Sequence, residues 1–71
     1  MTHTQTLNTL KKLRINPSWL QMGDHIWSEE HDVTIRYIDG PDHNGTYDIF
    51  GINEQGNPQK IIATEFVTLL K

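Results

Sequence analysis

Residues 33–52 limit what this chain can fold into more than any other stretch. Two runs rich in β-branched and aromatic residues, Val33-Thr34-Ile35-Arg36-Tyr37-Ile38 and Thr46-Tyr47-Asp48-Ile49-Phe50-Gly51-Ile52, flank a segment with two glycines, a proline and an Asn44-Gly45 pair. The runs read as strands and the segment between them as an exposed turn. A period of two puts Val33, Ile35 and Tyr37 on one face and Thr34, Arg36 and Ile38 on the other. By the same rule Tyr47 and Ile49 oppose Asp48, Phe50 and Ile52. Both faces carry apolar groups, and a lone hairpin is marginal in water, so further strands must cover it.

The rest of the chain supplies them. His25-Ile26-Trp27, residues 59–63 around Ile61 and Ile62, and Val67-Thr68-Leu69-Leu70 all read as short strands. Gly23-Asp24 and Asn53-Glu54-Gln55-Gly56-Asn57-Pro58 read as turns. Thr64-Glu65-Phe66 is polar and short enough for a single helical turn. Upstream, Leu7, Leu10 and Leu13 recur at helical spacing beside Lys11, Lys12 and Arg14, which predicts a short amphipathic helix over residues 6–16. Its basic last turns complement the helix dipole, and Asn16-Pro17 ends it. The leucine stripe then docks on the sheet or pairs with a second copy. Residues 1–5 read as a flexible arm, and Trp19 and Leu20 as core anchors. The expectation is a mainly β single domain: a five-stranded SH3-like barrel over residues 17–71, closed so that no strand edge is exposed, with the helix capping one end.

With 71 residues and no cysteine, the chain must hold together by packing, an oligomer interface or a partner, because a domain this short buries only about 60 % of its unfolded surface. No run approaches the roughly 18 apolar residues of a membrane span, and the start lacks the apolar block of a signal peptide, so a cytoplasmic location is expected. The net charge of −3 is unevenly spread. Lys11, Lys12 and Arg14 stand without an acid in residues 1–23, whereas Asp24, Glu29, Glu30, Asp32, Asp39, Asp42 and Asp48 face only Arg36 in residues 24–48. Such acids keep a small domain soluble or form a patch for a basic partner.

One set of residues resembles the Tudor group of SH3-like barrels over residues 19–70. It comprises Trp19 followed after three residues by Gly23-Asp24, then Trp27-Ser28-Glu29-Glu30 leading into Thr34-Ile35, Ile38-Asp39, and Gly56-Asn57 before the closing strands. Tudor domains hold methylated arginine or lysine in an aromatic cage by cation–π attraction, about 2 kcal/mol or more when desolvated. The resemblance implies Trp27 and Phe50 as cage walls and Asn57 as a polar contact. Thr34 and Gln55 stand where two further cage aromatics are expected.

The chain lacks a cysteine nucleophile, a phosphate-binding glycine loop followed by lysine, and a nucleophile elbow. His31-Asp32 and Asp42-His43 have no recognised metal-ligand spacing, and neighbours on a strand point to opposite faces, so no metal or other cofactor is expected. The leading expectation is a non-catalytic protein-interaction module, an inhibitor or adaptor of bacterial or phage type. Trp27, Glu29, Glu30, Asp32, Tyr37, Asp42, Phe50 and Asn57 would meet a protein partner with a basic surface. The alternative is nucleic-acid binding through Lys11, Lys12, Arg14, Arg36 and Lys60, as in ribosomal and RNA-associated SH3-like barrels, weakened by six basic residues against nine acidic ones. The third is a small oligomeric enzyme, by analogy with the plasmid-borne dihydrofolate reductases that assemble a pore from such barrels.

Overall fold

In the computed structural model the described residues are 11–71. They form strands β1 (Lys12–Ile15), β2 (His25–Ser28), β3 (His31–Asp39), β4 (Tyr47–Asn53), β5 (Pro58–Ala63) and β6 (Val67–Leu70), with one turn of 3-10 helix at Pro17–Trp19. All strand pairs are antiparallel, in one sheet of order β1-β6-β2-β3-β4-β5. The five expected strands are β2 to β6.

Two expectations are overturned. The amphipathic helix expected over residues 6–16 is overturned in its described part: Lys12–Ile15 is a strand paired with β6 in the register Lys12↔Leu70 to Ile15↔Val67. Lys12-Leu13-Arg14-Ile15 also alternates polar with apolar, and pairing with an available strand edge outweighs a weak helical preference. Of the leucine stripe, Leu13 is exposed, while Leu7, Leu10 and the arm over residues 1–5 lie outside the described residues. The closed five-stranded SH3-like barrel is replaced by an open six-stranded sheet. β1 takes the outer edge of β6, and among the described residues β5 is left as the other edge with no strand beside it.

The sheet nevertheless curls. β5 and β6 are four places apart in the sheet, about 19 Å if it were flat. Only Thr64, Glu65 and Phe66 join them, a span of at most about 14 Å. Those three residues form a bend rather than the expected helical turn. The end of β5 must therefore fold round toward the start of β6, and the concave side becomes the core. Leu20, Ile26, Val33, Ile35, Ile49, Ala63, Val67 and Leu69 are buried there, with Ile15, Ile38, Tyr47 and Ile61 packed around them.

A bulge in β3 decides which side chains reach that core. Ile35 pairs with Gly51 and Tyr37 with Phe50, so Arg36 is an extra residue. Beyond it the alternation is reversed. Ile38 joins Val33 and Ile35 inside, and Tyr37 moves to the outer face, against the regular alternation expected. Trp19 is also outside, 77 % exposed. Asn16 Oδ1 accepts a hydrogen bond from the Ser18 N–H (3.0 Å) and caps the 3-10 turn. At three residues per turn Pro17 and Leu20 share its inward side, leaving Trp19 to point away.

No helix among the described residues is long and apolar enough to cross a membrane.

Candidate functional site

The convex face of the sheet holds three of the five exposed aromatic residues. Trp27 on β2, Tyr37 on β3 and Phe50 on β4 all project there because their in-sequence neighbours Ile26, Ile38 and Ile49 point into the core. Tyr37 and Phe50 are cross-strand partners with ring centroids 5.9 Å apart, tilted by 38°. Trp27 is at least about 10 Å from Phe50, since β3 lies between their strands. The two rings do not converge into a cage. Each is instead covered by a cation of the chain itself: Lys12 Nζ lies 4.5 Å from the Trp27 centroid, and Lys60 Nζ 5.7 Å from that of Phe50. Arg14 Cζ lies 4.9 Å above Phe66 in the same way. Asn57, the implied polar contact, belongs to the β4–β5 turn, where its N–H donates to Asn53 Oδ1 (3.0 Å) and its carbonyl accepts from the Asn53 N–H (2.9 Å).

The acidic residues separate into three situations. Glu29 and Glu30 form the two-residue turn between β2 and β3, with φ of 53° and 66°, and both are exposed. Asp32 and Glu54 stand behind them, engaged by histidines. His25 Nδ1 donates to Asp32 Oδ1 (2.9 Å), and His31 Nδ1 donates to Glu54 Oε2 (2.8 Å). An ionised carboxylate only accepts, which places the proton on Nδ1 of each ring. The Asp32 N–H completes the tie by donating to Glu54 Oε1 (3.0 Å). The hydrogen bond from His31, followed by that of Glu54's own backbone N–H, holds the Glu54 carboxyl below its usual value. Asp42 sits after the far end of β3, some 30 Å of strand away. Its Oδ1 accepts from the N–H groups of Asn44 and Thr46 (both 2.9 Å), so it holds its own loop. The structure thus brings Glu29, Glu30 and Asp32 together near Trp27 and leaves Asp42, Tyr37 and Phe50 apart from them.

Lys12, Arg14 and Lys60 as ring partners were legible only as basic residues. Their alternation with Leu13, Ile15 and Ile61 was the one available signal that they share a face. Comparison of the chain with family models, with curated proteins and with solved structures returned no match. What the described residues show is thus a small antiparallel all-β unit.

Thr34, His25 and Asp32 have the composition of a nucleophile, base and orienting acid. However, Thr34 Oγ1 (3.3 Å) and Asp32 Oδ1 both approach His25 Nδ1, whereas that mechanism needs them on opposite ring nitrogens. Among the described residues no three His, Asp or Glu side chains are grouped to share a metal ion.

Proposed function

We propose that the domain is a non-catalytic protein-interaction module that presents the Glu29-Glu30 tip to a basic surface on its partner. The observation that carries this reading is the backbone of the tip. A two-residue turn with both φ values positive is a type I′ turn, which favours Asn-Gly, and each ordinary side chain held there costs about 1 kcal/mol or more. Two adjacent glutamates are a poor local choice for the fold and a good one for a projecting pair of carboxylates. Behind the tip, the histidine ties of Asp32 and Glu54 keep two further carboxylates close to it, which strengthens attraction for a cationic patch. Lys12 and Lys60 lie over the rings of Trp27 and Phe50, so the reading rests on the carboxylates and not on these rings.

The test is E29N/E30G. The variant should melt higher than the wild type, with a gain of about 1–2 kcal/mol from relief of the turn. It should also fail to retain, from nuclease-treated extract, a basic protein that the immobilised wild type holds. Equal retention by the two would overturn the reading, and the raised melting temperature rules out misfolding as the cause of a loss.

A further inference from the structure

The Asn44-Gly45 pair shapes the loop between β3 and β4, and it is also the place where an asparagine side chain can react most freely with the backbone that follows it. We propose that Asn44 is a site of spontaneous conversion to aspartate and isoaspartate, and that Asp42 sets the rate. In this reaction the Gly45 amide nitrogen gives up its proton and attacks Asn44 Cγ. A bond forms between that nitrogen and Cγ, the Cγ–Nδ2 bond breaks, and Nδ2 takes up a proton and leaves as ammonia. Water then opens the five-membered imide at one carbonyl or the other, giving aspartate or isoaspartate. Water is the only co-reactant.

The sequence singles out this asparagine. The others precede Thr9, Pro17, Glu54 and Pro58, whose side chains crowd the attack or, for the prolines, whose nitrogen has no proton to give up. Glycine has no Cβ to stand in the way. Asn44 and Gly45 are both exposed, and a Cβ built at Gly45 meets nothing within 4 Å, so water reaches the site.

The folded loop opposes the reaction. The Gly45 N–H, the group that must be freed, donates to the Asp42 carbonyl (3.0 Å). Asp42 Oδ1 accepts from the N–H groups on either side of it, those of Asn44 and Thr46 (both 2.9 Å). The Asp42 N–H donates to the Thr46 carbonyl (3.0 Å). The attacking nitrogen thus lies in a backbone held by Asp42 at four points, and the loop must open before it can move. The Asp42 carboxylate adds an electrostatic brake, because a neighbouring negative charge disfavours formation of the amide anion. Once conversion occurs the hold is lost. Isoaspartate carries the main chain through the former side chain, which lengthens it between residues 44 and 45 and draws the two N–H groups away from a common acceptor.

The experiment incubates the wild type, D42A, D42S and N44Q beside the capped peptide Asp-His-Asn-Gly-Thr, follows acidic products by ion exchange, and places them by peptide mass mapping. The wild type should react at least about tenfold more slowly than the peptide, and D42A should recover most of that difference, as expected for the loss of one or two hydrogen bonds. D42S, which keeps a short oxygen acceptor without the charge, should fall between them. N44Q should give no product at this position. Melting curves show whether each variant is folded, and D42S carries the comparison if D42A is not. Three results would overturn the proposal: a wild type as fast as the peptide, folded Asp42 variants as slow as the wild type, or acidic products that map away from residue 44.

Discussion

Gly51 shows at the scale of one residue how tightly this small core is closed. It lies on the inner face of β4 opposite Ile35, and a Cβ built there meets the Thr34 carbonyl oxygen and Val33 Cγ1 far inside van der Waals contact. Neither obstacle is the end of a flexible chain. The G51A variant should therefore lose about 2–3 kcal/mol or fail to fold, which urea denaturation would measure; wild-type stability would show that β3 and β4 can part at this point. A glycine within a strand can be read from sequence as a point of close backbone approach. Which residue approaches it could not be read, because Val33 lies far from Gly51 in the chain. Trp19 is the opposite case: its size argued for burial, and the geometry of a three-residue turn put it in solvent.

At the scale of the element, β3 is governed by its bulge. Arg36 is the residue without a partner, and it reverses the alternation so that Ile38 is drawn in and Tyr37 turned out. Deleting Arg36 leaves Ile35, Tyr37 and Ile38 in simple alternation with the same facings. The deletion variant should thus fold, with Tyr37 still exposed and a stability loss of about 1–2 kcal/mol from the altered twist. Melting and solvent quenching of tyrosine fluorescence would check this, and loss of the fold would show that the bulge itself, not the inward pattern, holds the strand. The first strand teaches a related lesson. Lys12-Leu13-Arg14-Ile15 fits a helical stripe when read with Leu7 and Leu10 and a strand when read alone, and the choice was made by the edge of β6.

On the scale of the whole molecule, the turns at one end of the sheet are tied to each other by side chains, and one of these ties titrates. His31 on β3 and Glu54 in the β4–β5 turn join the two hairpin ends. Because the folded state holds the Glu54 carboxyl below its unfolded value, the unfolded chain takes up the proton first as the solution is acidified. Its contribution to stability is complete above the unfolded value, near pH 4.3, and is lost as the pH falls through the lower folded one. The wild type should melt above E54Q at neutral pH, and the gap should close in acid. A gap that stays constant to about pH 3 would mean that ionisation of Glu54 is not what stabilises the tie. Taken alone, the sequence determined the five strands β2 to β6, the turns over residues 39–45 and 53–58, and the sharing of a face by Val33 with Ile35 and by Tyr47 with Ile49. Alternation and turn chemistry are local, and each of these segments carries its own signal. Only the tertiary structure decided that residues 12–15 form a sixth strand, that the sheet stays open at β5, and that Lys12, Arg14 and Lys60 cover the aromatic rings. Those outcomes depend on which edges and faces meet across the fold, and no short stretch of sequence carries that information.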